Sequence, residues 1–320
     1  LSLHLYAPAL AALGHGLGGR IKADGVLRGS PGQPAGEFEL LGEKLSVAGI
    51  RIDGVNGRGR LAEGRNGAIS VALGLAGLRK GRDVEAMLQR ASFVFEGTRA
   101  ANTMRLEVFG PAQASAVLSL AGALSDGPRW EGRLDSLTVR GDYPFTLQAP
   151  APLLLSADIV RLGLAELRGG FGGRYRFEET RWQARHLVAR GSVTGVLVGV
   201  DLDPTTRAVR SRGDSLQMGG EWDVDVAEQV NGTVRLQREK GDLVLQGDSP
   251  VKLGLDELQL TLSAVANRLA FGFSAHGSTL GRAAGAGTAL AERTADGVVR
   301  LVPDAPLLGS AQIDIPSIAW

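Results

Sequence analysis

Cysteine is absent from all 320 residues. A disulfide framework and a thiolate metal site are therefore excluded. Aromatic residues are scarce, at 5%. A β-sandwich core that leans on Phe, Tyr and Trp for buried area does not fit that scarcity. Neither sign of charge is in excess: 35 basic residues stand against 34 acidic ones, for a formal net charge of +1. That balance argues against a nucleic-acid binder, which needs a basic stripe to displace counterions. No apolar run reaches the roughly 18 residues of a membrane-spanning helix. There is no basic-then-apolar leader, and the first residue is Leu1 rather than Met. The chain reads as an internal or processed segment of a longer protein.

Glycine, by contrast, is plentiful: 46 residues, about twice the usual 7% share. Period-2 alternation of aliphatic and polar residues recurs along most of the chain. Residues 232–262, GTVRLQREKGDLVLQGDSPVKLGLDELQLTL, show it well. Val234 and Leu236 alternate, then Leu243 and Leu245, then Val251, Leu253 and Leu255. The pattern slips at Asp256-Glu257 and resumes as Leu258, Leu260 and Leu262. Turn clusters such as Gly29-Ser30-Pro31-Gly32, Glu63-Gly64-Arg65-Asn66-Gly67, Ser125-Asp126-Gly127-Pro128 and Thr294-Ala295-Asp296-Gly297 separate the alternating runs. Gly, Asn and Asp tolerate the positive φ of tight hairpins. A spacing of roughly 8–12 residues predicts about two dozen strands, more than one compact sandwich holds. Helical signal is confined to Ala7-Pro8-Ala9-Leu10-Ala11-Ala12-Leu13, with weaker propensity at residues 83–88 and an ambiguous stretch at 184–187. A soft seam is expected near residues 201–220, giving a first part at 1–200 and a continuation at 201–320. Trp130, Trp182 and Trp222 each stand before an alternating run and are expected to cap or edge the sheet.

The search for chemistry is largely negative. Gly14-His15-Gly16-Leu17-Gly18-Gly19 matches a dinucleotide-loop pattern, but its helix precedes and its strand follows, the reverse of the required order. Gly169-Gly170-Phe171-Gly172-Gly173-Arg174 lacks the Lys-Ser/Thr ending of a phosphate loop and reads as a hairpin or bulge. His4, His15, His186 and His276 are not paired at metal-ligand spacing. Asp223 and Asp225 share a strand face and are expected to point to water, without the rest of a calcium loop. Glu178-Glu179 and Asp256-Glu257 make poor acid–base pairs. Asn231-Gly232-Thr233 is a glycosylation triplet by pattern and is expected to make a turn. The expectation is a protein without catalytic residues, metal or cofactor.

Four stretches carry a resemblance. Residues 7–47, APALAALGHGLGGRIKADGVLRGSPGQPAGEFELLGEKLSV, are similar to the unit that recurs in the TamB family, a short helix leading into paired aliphatic strands. Residues 129–156, 219–245 and 251–320 resemble further strand elements of that family. The resemblance implies an AsmA-like, bridge-type lipid transfer protein of Gram-negative bacteria, anchored in the inner membrane and crossing the periplasm. It implies a long curled β-sheet, or taco, with a hydrophobic groove that carries phospholipid toward the outer membrane. It implies contact with the outer-membrane barrel TamA through regions outside this segment, as is the membrane anchor.

The reading is thus an all-β, elongated, curled, antiparallel-rich sheet with an open hydrophobic groove and one or two short helices. Aliphatic teeth without large rings leave room for acyl chains, each buried methylene contributing about 0.8 kcal/mol. The expected groove lining is Ile69, Val71, Leu73, Leu75, Leu118, Leu120, Val234, Leu236, Leu243, Leu245, Val251, Leu253, Leu255, Leu258, Leu260, Leu262, Phe271 and Phe273. Its partner is phospholipid acyl chains, with no nucleic acid. The alternative is a β-solenoid scaffold or adhesin-like segment whose aliphatic face is closed by protein.

Overall fold

The computed structural model describes the chain except residues 15, 31–32, 82–84, 126–128, 199–200, 203–208, 211–214, 246–250, 295–298, 303–305, 307 and 315–320. The turn residues 31–32, 126–128 and 295–297, residues 203–208 and 211–214 of the expected seam, His15 and residues 83–84 lie outside the described residues. The rest divides into two compact units, Leu1–Ala157 and Asp158–Trp320. The stretch 201–220, read as a seam, falls inside the second unit.

The first unit is a run of consecutive antiparallel hairpins. Its strands are β1 (Ser2–Ala7), β2 (Gly18–Ser30), β3 (Gln33–Val47), β4 (Ile50–Leu61), β5 (Ala68–Lys80), β6 (Leu88–Thr98), β7 (Asn102–Phe109), β8 (Ser115–Leu124), β9 (Arg129–Arg140), β10 (Phe145–Leu147) and β11 (Ala151–Ser156). Each strand from β1 to β9 pairs with the next, and β10 and β11 both return along β9. The helical signal near residue 10 is realised as one 3-10 turn, Leu10–Leu13. β2 follows it, so the glycine-rich 14–19 stretch joins a helical turn to a strand, as its residue order requires.

The second unit follows the same plan. Its strands are β12 (Ile159–Leu162), β13 (Ala165–Gly169), β14 (Arg174–Gln183), β15 (His186–Val198), β16 (Asp201–Leu202), β17 (Val209–Arg210), β18 (Leu216–Val226), β19 (Val230–Lys240), β20 (Val244–Leu245), β21 (Val251–Lys252), β22 (Leu255–Val265), β23 (Arg268–Gly277), β24 (Gly281–Arg293), β25 (Val299–Leu301) and β26 (Leu308–Asp314). The ladder runs β14-β15-β18-β19-β22-β23-β24-β26. β16–β17 and β20–β21 form separate two-stranded hairpins. The stretch 184–187 is not helical. Ala184 and Arg185 take φ of 47° and 69°, a two-residue hairpin turn of the left-handed kind whose twist suits the flanking strands.

Register sorts the residues onto faces, because directly opposed residues of an antiparallel pair project to the same side. In the first unit one cross-strand row reads Leu5, Ala23, Leu40, Gly57, Leu73, Phe93, Leu106, Leu118, Leu137. The next row on that face reads Leu3, Gly25, Phe38, Gly59, Val71, Phe95, Met104, Leu120, Leu134. The opposite face carries His4, Asp24, Glu39, Arg58, Ala72, Val94, Arg105 and Ser119 in one row. Within each unit, strands pack substantially on their ladder neighbours, and mid-strand residues of the apolar face, Leu73 in the first unit and Leu260, Leu262 and Phe271 in the second, stay accessible.

The ladders nevertheless bend. Neighbouring strands stand about 4.8 Å apart, so three ladder steps in a flat sheet span roughly 14 Å and five span roughly 24 Å. Arg99, which follows β6, donates to the carbonyl of Pro34 on β3, and also to Ala62 at 2.9 Å and Gly64 at 3.0 Å. Arg293, at the end of β24, donates to Ala227 at 2.7 Å, in the β18–β19 turn, and to Arg185 in the β14–β15 turn. One side chain cannot bridge such spans unless the strand ends draw together. The buried residues near these ends, Ile69, Phe95, Leu120 and Trp130 in the first unit and Val226, Val230 and Ala264 in the second, lie in apolar rows. The bend therefore closes on the apolar face, and each unit forms a trough.

Candidate functional site

The candidate site is this trough floor, and the strand register fixes its content. Ile69, Val71, Leu73, Leu75, Leu118 and Leu120 all lie on the apolar face of the first unit. In the second unit one row reads Phe177, Gly191, Trp222, Val234, Leu262, Phe271, Gly287, Gly309. The adjacent row reads Tyr175, Val193, Gly220, Leu236, Leu260, Phe273, Gly285, Ala311. Val234, Leu236, Leu260, Leu262, Phe271 and Phe273 thus share one floor, with Leu258 a step further along. Leu260, Leu262 and Phe271 are 39%, 40% and 40% exposed.

Leu243, Leu245, Val251 and Leu253 are placed elsewhere. They belong to the hairpin of β20 and β21, which has no ladder with the main sheet. Leu243 and Leu253 pack against a buried cluster of Leu216, Met218 and Leu255, joined by Leu236 and Leu258. Leu255 is only 4% exposed, so protein closes over it. Asp242 fastens the hairpin's base: its carboxylate accepts from the backbone N–H of Leu243 at 2.8 Å, Gly254 at 2.8 Å and Leu255 at 3.0 Å. Alternation alone could not separate this hairpin from the comb, because period 2 names a face and not a partner strand.

Glycine and large side chains interlock on the floor. The Phe271 ring lies over the strand position of Gly287, Phe273 over Gly285 and Phe38 over Gly59, where any added Cβ would overlap the ring. Trp130 covers Gly122 and Gly132. It is 3% exposed, and its indole N–H donates to Asn102 Oδ1 at 2.7 Å. The expectation that this Trp caps or edges the sheet is corrected: two facing glycines make room for it inside the apolar face. Trp222 likewise lies within the face, edge-on to Phe177 at 5.3 Å between centroids. Burial on that face raises the Tyr175 hydroxyl above its ordinary pKa.

The other face is wet and self-paired. Asp223 and Asp225 point to water on this face, as expected, and each also meets a neighbour across the ladder. Asp223 accepts from Arg190 Nε at 3.0 Å, and Asp225 Oδ1 lies 2.8 Å from His186 Nε2. The carboxylate of Asp223 raises the Arg190 pKa. Arg235 pairs with Glu221 at 3.4 Å, and Arg176 with Glu166 at 3.3 Å. His4 sits 2.9 Å from Asp24, which Lys22 also approaches at 3.1 Å. Hydrogen bonds from His4 and then Lys22 hold the Asp24 carboxyl below its ordinary range. A hollow of 440 Å³ on this face has walls from His4, Asp24, Glu37, Glu39, Arg58 and Arg60. Its charges largely neutralise one another. Among the described residues no group of three His, Cys, Asp or Glu could hold a metal. Asn231-Gly232-Thr233 does not make a turn. It opens β19, where Asn231 Oδ1 accepts from the N–H of Ala266 at 2.8 Å.

Residues 1–159 match the family model described as TamB, N-terminal domain. The chain belongs to the TamB family. The matched stretch contains the first unit, so these hairpins and their trough are part of the TamB N-terminal domain. It also contains two of the four resembling stretches, 7–47 and 129–156; the other two lie beyond it. Comparison with curated proteins and with solved structures gave no match.

Proposed function

We propose that the troughs hold phospholipid acyl chains in passage between the inner and outer membranes of a Gram-negative cell, and so support outer-membrane assembly. The observation that carries this reading is an apolar face several strands wide whose mid-strand side chains Leu260, Leu262 and Phe271 stay accessible. Acyl chains suit such a floor: each methylene they bury contributes about 0.8 kcal/mol, while the headgroup stays in water at the trough mouth. No stereospecific contact is needed, so the reading requires no catalytic residue and no cofactor. Membership of the TamB family supports a place in the periplasm, within an inner-membrane-anchored protein. No helix among the described residues is long and apolar enough to cross a membrane. Contact with the outer-membrane barrel TamA is assigned to other regions of such a protein. A β-solenoid scaffold fits less well, because stacked solenoid coils pair in parallel, whereas the ladders here are antiparallel.

The test is photocrosslinking in cells, with the reactive group at Leu262 on the floor and at Ser263 on the wet face as control. Mass spectrometry identifies what is attached. Phospholipid at Leu262 and not at Ser263 is the expected result. Protein alone at Leu262 would sink the reading and put the scaffold first. Leu255 is unsuited to this test, since its neighbours are Leu216 and Met218.

A further inference from the structure

We infer that Arg99 and Arg293 are positioning residues that set the bend of the two ladders and thereby the width of each trough. The consequence for lipid rests on the proposed function; the bend itself does not. Each guanidinium reaches backbone carbonyls of strand ends that a flat ladder would hold beyond its grasp. Arg99 Nη1 takes Ala62 and Gly64 while Nη2 takes Pro34. Arg293 Nη1 takes both Arg185 and Ala227. These carbonyls belong to turns or strand ends, where the ladder leaves lone pairs unused.

At Arg99 the chemistry selects arginine. A planar fork of five N–H donors can bond several carbonyls that converge from different strands. Such bonds carry a full charge on the donor and are roughly twice as strong as neutral ones. At Arg99 three carbonyls are split between two nitrogens, which the single nitrogen of lysine cannot do. The two sites arose in unrelated local sequence, yet both stand where the apolar rows are buried. Asn102, three residues from Arg99, is 5% exposed and bonds Trp130. Ala291, two residues from Arg293, is 4% exposed. Without the clamp, only the intrinsic twist of about 20–25° per strand shapes the ladder, and the trough opens.

The test uses paired spin labels on introduced cysteines at Leu5 and Leu73 of the 320-residue chain, which has no native cysteine. These residues share one apolar row four ladder steps apart, and they are 43% and 40% exposed. Arg99→Leu should lengthen the label distance by about one strand spacing, roughly 5 Å, with strand content by circular dichroism retained. Arg99→Lys should lengthen it too, and it covers the case in which the leucine variant does not fold. An unchanged distance in either folded variant overturns the inference. Phospholipid crosslinking at Leu73 is measured in parallel. If native protein gives no lipid there while Arg99→Lys still widens the trough, the lipid reading fails and the clamp stands.

Discussion

The second unit holds two versions of the same apolar face. At mid-strand, Leu260, Leu262 and Phe271 line an open floor and keep 39%, 40% and 40% of their surface accessible. Toward the strand ends the face closes. Leu216, Met218 and Leu255 gather under the β20–β21 hairpin at one rim, and Val226, Val230 and Ala264 at the other. The residue types barely differ between these regions. What differs is whether chain from the same unit folds over them. Stability should therefore reside in the rims, and binding on the floor.

The sharpest way to break that division is at its most buried side chain. Leu216→Ala should cost about 2–5 kcal/mol, the range for emptying a packed core site, read from the denaturation midpoint. A loss as small as that of an exposed leucine would mean the rim is not a core. Next comes Gly287→Val, which drives a side chain into the place of the Phe271 ring. Overpacking should cost about 1–3 kcal/mol and displace the ring into the trough, lowering lipid capture at Leu262. Leu262→Ala should sharpen the contrast from the other side. Its stability cost should stay near 1 kcal/mol, below the buried-core range, while lipid capture from a probe at Leu260 falls several-fold. The wet face supplies the smallest effect: a double-mutant cycle on Arg235 and Glu221 should return roughly 0.2–1 kcal/mol and shrink with salt.

Acid gives a further reading of the wet face. The Asp24 carboxyl is held low by His4 and Lys22. A carboxyl with a depressed folded pKa stabilises the fold above its unfolded value, near 4. That contribution is lost as pH falls through the folded value. Asp24→Asn should remove this part of the acid limb in a pH series and leave neutral-pH lipid capture unchanged.

Much of this was legible in the sequence. Alternation placed the expected residues of β5, β8, β19, β22 and β23 on one shared face, because a half-covered sheet enforces period 2 on composition. Even the slip at Asp256-Glu257 was visible, and the structure places a register shift between Leu255 and Glu257 there. Other features were hidden for physical reasons. Leu243 and Leu253 alternate as floor residues do, but pairing partners are set by tertiary contacts. The positions of Trp130 and Trp222 depend on Gly122 and Gly191 on neighbouring strands, which sequence proximity does not reveal. The Ala184-Arg185 turn lacks glycine, and the flanking ladder imposes its left-handed backbone. Arg99 and Arg293 had no local motif, since their carbonyl partners are backbone groups 35 to 108 residues away.

The hairpin-by-hairpin pairing has a bearing on assembly. From β1 to β9 each strand finds its partner in the segment just made, with only a short connection between them. Loop closure is then a short search at every step. A chain threading out from its amino end can zip strand upon strand, each new one templated on the last exposed edge. Such a ladder can grow or shed a hairpin in evolution as a zipper gains or loses teeth, with the finished part left undisturbed.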